Sequence, residues 1–161
     1  MVYCLSVESV NLEVVVVGAG AAGVAGSVSA ARKGLIVALV EKSGVFGGMA
    51  TAAHVGTVCG LYPRGVKDSE LAGEFANELV ERLQKKQGRK EVRTFAEQLF
   101  YIPYQSAYFE NTCDELLAES KVEVFLHSTC CEVFVDSREI KSIKVLVLNE
   151  KAEIRANGCL L

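Results

Sequence analysis

The run Val14-Val15-Val16-Val17 leads directly into Gly18-Ala19-Gly20-Ala21-Ala22-Gly23. Four consecutive β-branched residues read as a strand buried on both faces. From Gly20 to Lys33 small residues dominate, with Ala21, Val24, Ala25, Val28 and Ala31 at helical spacing. Such a helix has a nearly flat face and can lie close on a sheet. Gly34 stands where a C′ glycine ends a helix, and Leu35 to Val40 predicts a second strand. Strand, helix and strand in this order form a right-handed βαβ unit. The fold class that follows is α/β with a central parallel sheet.

Composition sets the size of that fold. With 161 residues, 50% of them apolar and 23% charged, the chain can form one domain with a sizeable core. A chain of this length buries roughly 70% of its unfolded surface, and two full α/β domains would each need about 100–200 residues. Six cysteines and glycines without a triplet period exclude disulfide-scaffold and collagen-like classes. A net charge of −3 argues against nucleic acid as the main partner. No apolar stretch of about 20 residues offers a membrane span. Glu8 and Glu13 interrupt any signal-peptide core. Cys4, Cys59, Cys113, Cys130, Cys131 and Cys159 form no CxxC pair and show no metal-ligand spacing. They read as reduced, mostly buried thiols of a cytoplasmic protein without a metal site.

Residues 43–67, rich in Gly, Ala and Thr, read as an ordered functional loop. A helix is predicted over 68–87, with Leu71, Phe75, Leu79 and Leu83 facing inward and Glu78 oriented toward Arg82. The basic run 85–90 reads as a solvated helix end. Strands are predicted near 91–94 and 98–102, a helix over 105–119 and a strand over 122–126. Runs at 129–135, 140–148 and 151–156 have the spacing of an antiparallel β-meander. Cys159-Leu160-Leu161 begins one more apolar run.

The glycine run carries the chemistry, because it follows a strand and opens a helix. Gly18 permits the tight turn, Gly20 lets backbone amides approach a pyrophosphate, and Gly23 lets helix and strand pack closely. The helix N-terminus adds free N–H donors and a positive dipole end. Glu41 ends the second strand, where a carboxylate can accept hydrogen bonds from both hydroxyls of an adenosine ribose and repel a 2′-phosphate. Gly47-Gly48, in the segment EKSGVFGGMAT, allows a second close approach of backbone to a ligand larger than the ADP half.

The combination of GxGxAG, a ribose-binding Glu and a GGxxT loop resembles the FAD-dependent oxidoreductase family of the glutathione-reductase structural class. The resemblance implies a Rossmann-like FAD/NAD(P)-binding fold with a β-meander, residues 1–12 as a lead-in, and 13–161 as the FAD-binding domain. Within it, 50–104 forms an inserted loop and helix region. It implies FAD as cofactor, a small-molecule substrate, and cofactor contacts at Gly18, Gly20, Ala22, Gly23, Glu41, Lys42, Gly47, Gly48, Met49, Thr51 and Cys130. Cys130 takes the position whose backbone contacts adenine, and Ser27 stands where the family usually has Ala. The paired redox cysteines of related disulfide reductases are missing, since Cys59 alone lies in the loop after the double glycine. Cys130 and Cys131 are expected on opposite strand faces, which disfavours a vicinal disulfide. His54 is a candidate proton donor or flavin anchor and Arg64 a candidate anion contact, each against a plain loop role. No catalytic residue is assigned. The family pattern continues beyond a run like 158–161, so the domain is expected to be incomplete here, its C-terminal end truncated, and the chain to be an N-terminal part inactive alone. The alternatives are an NAD-dependent dehydrogenase, and a non-redox or RNA-modifying FAD-binding module.

Overall fold

The computed structural model describes residues 12–65, 73–96, 98–147 and 150–160. Strand β1 (Leu12–Val17) is followed by helix α1 (Ala21–Arg32) and strand β2 (Val37–Val40). β1 and β2 are parallel, with Val14 opposite Val37 and Val17 opposite Val40. Lys33 caps α1, and Gly34 follows at φ +90° with its N–H donated to the Ala31 carbonyl at 2.9 Å, as a C′ glycine does. Gly23, Val24, Ser27 and Val28 are the buried face of α1. Ala21, expected on that face, is instead exposed at the helix N-terminus. Ser27 is fully buried with its hydroxyl unpartnered.

A short 3-10 turn, Gly48–Ala50, and strand β3 (Thr57–Cys59) organise the glycine-rich loop. Helix α2 (Glu74–Lys86), strands β4 (Arg93–Phe95) and β5 (Leu99–Pro103), and helix α3 (Ser106–Glu119) come next. The start expected for α2, including Leu71, lies outside the described residues. β3, β5 and β4 form a small antiparallel sheet in that order. Its inner face meets α2 through Leu61, Val80 and Ile102. Three helices are joined by ion pairs: Arg32 of α1 with Glu78 of α2 at 2.5 Å, and Arg82 with Glu78 at 2.8 Å and with Glu119 of α3 at 2.6 Å. The basic end of α2 is tied down too, since Lys86 bonds Glu115 at 2.6 Å.

Strands β6 (Glu123–Phe125), β7 (Ser128–Asp136), β8 (Glu139–Val147) and β9 (Glu150–Leu160) complete the molecule. The main sheet has the order β6-β2-β1-β9-β8-β7. One face carries the helices, where Val16, Val24, Val28 and Leu39 pack with Leu83, Phe109, Leu116 and Leu117. The other carries the meander, where Val15, Ala38 and Val40 meet Ile143, Val145 and Ile154. The separate apolar run expected at Cys159 is the far half of β9. That strand pairs antiparallel with β8 as far as Arg155 and parallel with β1 from Ala156 onward. Nothing in 155–158 forces a break, so one strand both closes the meander and joins the parallel sheet. This is the mixed α/β, Rossmann-type architecture read from the sequence. Among the described residues, no helix is long and apolar enough to cross a membrane.

Candidate functional site

The turn between β1 and α1 is built by glycines whose reasons differ. Gly18 sits at φ +99° and donates its N–H to the Val40 carbonyl at 2.8 Å, tying the turn to β2. A Cβ on Gly23 would lie 1.8 Å from the Gly18 carbonyl oxygen, so only glycine fits there. Gly20 is the opposite case: a Cβ would meet nothing within 4 Å, and its φ of −65° suits any residue. The space it leaves bare therefore opens outward. Beside it, Ala21 and Ala22 are exposed, α1 has no side-chain cap and no acidic residue in its first turn, and the first internal helix bond is donated by Val24. These free amides form an anion cradle of the kind helix N-termini provide.

Glu41 lies directly behind this turn and is 9% exposed. Its Oε2 accepts the Ala19 N–H at 2.7 Å, and its Oε1 accepts the Ser43 N–H at 2.7 Å. The Ser43 hydroxyl lies 2.8 Å from that Oε1 and 2.9 Å from the Val45 carbonyl, so its single proton serves one or the other. Burial pushes the Glu41 carboxyl up, but the hydrogen bonds from Ser43 and Ala19, with the charge of Lys42, outweigh it and hold the group below its ordinary value. A carboxylate offers about four acceptor positions. Oε2 keeps one open, and Oε1 gains one when the Ser43 hydroxyl turns to Val45.

The double glycine closes the other side. Gly47 donates its N–H to the Ala19 carbonyl at 2.8 Å and bridges Gly20. At φ +96°, a Cβ on Gly47 would lie 2.7 Å from Thr51 Cγ2 and 3.1 Å from the Phe109 ring. A Cβ on Gly48 would lie 3.1 Å from the Gly20 Cα. The second glycine turn thus packs against the first so closely that a side chain at Gly48 would crowd Gly20. Thr51 is buried and donates its hydroxyl to the Phe46 carbonyl at 2.5 Å, a bond that shapes the loop. Tyr104 donates its hydroxyl to the Ala50 carbonyl at 3.1 Å and packs on Phe109, with ring centroids 4.9 Å apart. Met49 and Lys42 are exposed on the rim.

Cys130 is half-buried opposite Val145 in β7, and Cys131 is the extra residue of a bulge before Glu132. Burial pushes the Cys130 thiol up, helped by Cys131 and opposed by a contact to the Glu132 carbonyl. Among Cys59, Cys113, Cys130 and Cys131, Cys113 is buried, Cys130 half-buried, and Cys59 and Cys131 exposed, which runs against the expectation of mostly buried thiols. His54 is exposed at φ +52°, with Nδ1 3.2 Å from the Ser106 hydroxyl. Arg64 donates to Gln98 Oε1 at 2.6 Å, which occupies it with a neighbour. Sequence reasoning missed Ser43, His127 and Ser128, which the fold gathers around Glu41. The Ser128 N–H donates to the Glu41 carbonyl at 2.9 Å and the His127 N–H to the Ser43 carbonyl at 3.1 Å. Among the described residues no group of three or more His, Cys, Asp or Glu side chains is placed to hold a metal ion.

The sequence matches the family model described as FAD dependent oxidoreductase over residues 13–160. No curated protein matches it significantly. Among solved structures, the chain is similar to THI4 of Thermovibrio ammonificans, at 16% identity and a TM-score of 0.60, covering 92% of this chain and 56% of that one. It is also similar to 3-ketosteroid-Δ4-(5α)-dehydrogenase of Rhodococcus jostii RHA1, solved with 4-androstene-3,17-dione, at 16% identity and a TM-score of 0.63, covering 94% and 46%. A geranylgeranyl bacteriochlorophyll reductase-like protein of Thermoplasma acidophilum gives 16% identity, a TM-score of 0.58, and coverage of 92% and 38%. The chain thus spans about half or less of these relatives' lengths.

Proposed function

The chain belongs to the FAD dependent oxidoreductase family, and from that membership we propose that its two glycine turns and Glu41 hold the ADP part of FAD. The observation that carries this reading is the placement of an uncapped helix N-terminus against a buried, ionised carboxylate, joined through the single residue Ala19. The amides at the start of α1, with Ala22 and Gly23 among them, are the donors for the pyrophosphate. The bare Cα of Gly20 admits it, and Gly48 forms the facing wall. The open acceptor position on Glu41 Oε2 takes one ribose hydroxyl. The Ser43 hydroxyl, by turning to Val45, releases a position on Oε1 for the other. The start of β7, with the Cys130 backbone, is the adenine side. Lys42 and Met49 lie on the exposed rim, and Thr51 contributes by holding the double-glycine loop in shape.

When bound, FAD supplies hydride or electron transfer at its ring, and the protein supplies binding, orientation and electrostatics. The residues of this chain bind and orient the nucleotide end. His54, on the loop that follows the double glycine with its Nδ1 3.2 Å from the Ser106 hydroxyl, is the candidate proton donor carried over from the sequence, against a plain loop role. A small molecule is the substrate class, by analogy with the steroid held in the Rhodococcus jostii dehydrogenase structure.

The test is the visible spectrum of the purified protein reconstituted with FAD, before and after a reductant. The expected result is a retained flavin spectrum that bleaches on reduction. A protein that stays colourless after incubation with FAD, and instead binds NAD in calorimetry, contradicts the reading.

A further inference from the structure

Tyr104 stands in the short connection between β5 and α3 and is 7% exposed. Its backbone is held from several directions. The Tyr104 N–H donates to the Gly56 carbonyl at 2.9 Å. One side chain, Gln87 at the end of α2, spans the peptide groups on either side of it. The Gln87 Nε2 donates to the Pro103 carbonyl at 3.3 Å, and its Oε1 accepts the Gln105 N–H at 3.1 Å. The ring therefore projects from a fixed point. It packs on Phe109, and Phe109 in turn backs Gly47, where a Cβ would lie 3.1 Å from its ring. The Tyr104 hydroxyl donates to the Ala50 carbonyl at 3.1 Å. Ala50 is the last residue of the turn Gly48–Ala50, whose first residue lies against Gly20.

We propose that Tyr104 is a positioning residue for the pyrophosphate side of the site, its hydroxyl aiming the second glycine turn at the first through the Ala50 carbonyl. The proposal rests on the FAD reading above. The bonds of Thr51 to Phe46 and Gly48, and of the Ala50 N–H to Gly47, lie within the loop and fix only its internal shape. Its placement on the rest of the molecule is set at two points. The Gly47 N–H ties the start of the turn to the Ala19 carbonyl, and the Tyr104 hydroxyl ties its end. Tyr104 is buried with its backbone fixed, so its ring cannot swing aside without leaving the core it shares with Phe109. Without the hydroxyl the end of the turn is free to tilt, and Gly48 loses its setting against Gly20. Binding must then reorder the turn, which costs affinity. Glu41 and the start of β7, at the adenosine end, are untouched by this contact.

Calorimetry with FAD, and with AMP as its competitor, tests this, since AMP carries the adenosine but only one phosphate. Tyr104→Phe keeps the ring on Phe109 and removes the hydroxyl alone. It is expected to weaken FAD roughly three- to tenfold, the range of one lost hydrogen bond, and to leave AMP within about twofold of native. Unchanged FAD affinity overturns the proposal, even where the melting temperature falls, because the bond is then merely structural. Equal losses for FAD and AMP overturn it too, since they mark a general loosening of the fold. Gln87→Leu releases the backbone around Tyr104 from the other side and is expected to weaken FAD without AMP as well. If Tyr104→Phe does not fold, that variant decides: a loss confined to FAD supports the proposal, and native affinity overturns it. A native protein that binds neither ligand overturns the FAD reading itself, and the proposal with it. A native protein that binds both, matched by Tyr104→Phe, overturns the proposal alone.

Discussion

At Glu41, burial and hydrogen bonding pull in opposite directions, and the donors win. The folded carboxyl loses its proton more readily than the unfolded one, near pH 4.3 as a rough reference. Its contribution to stability is therefore fully present above that reference. It is lost as pH falls through the lower folded value. Glu41→Gln should flatten the acid limb of stability measured by urea denaturation, while native protein loses stability on acidification. Equal acid limbs would mean that the three donors do not favour the charged form. Glu41 was legible from sequence because its distance from the glycine run matches the geometry of a strand end. Gly23 was legible because it must lie on the Gly18 carbonyl. Ser43 and His127 were not, since the bond from the His127 N–H to the Ser43 carbonyl joins segments far apart in the chain. Thr51 shows the converse limit: the motif marked the residue, but only the fold shows its hydroxyl turned to Phe46.

Among the elements, β9 departs most from a reading by local pattern. Its first half follows the alternation of a meander strand and its second half the apolar run of a parallel one, so the sequence divides it. Backbone pairing unites it. Strand β3 was hidden for another reason, because it lies within a Gly-, Ala- and Thr-rich stretch that reads as loop. Helix α3 was read closely, since the span expected over 105–119 is met by Ser106–Glu119. A strand shared by two sub-sheets should make them unfold together. Ile154 is 1% exposed and packs in the cluster that also holds Val15 and Ala38 of the parallel sheet. Ile154→Ala is expected to cost about 2–5 kcal/mol, with a single urea transition shared by the fluorescence and circular-dichroism signals. Two separate transitions would show the meander to be an independent unit.

For the whole molecule, the helices cover one face of the parallel sheet and the meander the other. This leaves the carboxyl ends of β1 and β2 free to present Gly18, Gly20 and Glu41 together, the place where open α/β sheets bind ligands. The family match over residues 13–160 agrees with that placement. The central claim is that this edge holds FAD by its ADP end. The most direct measurement is the FAD dissociation constant of the native protein and of Glu41→Ala, with ADP and NAD as competitors. Losing a charge-assisted ribose contact of about 1.5–3 kcal/mol should weaken FAD by roughly 10- to 150-fold. ADP should displace FAD, and NAD, which carries the same ADP end, shows by its competition what the flavin half adds. Unchanged affinity in Glu41→Ala, or failure of ADP to displace FAD, would contradict the account.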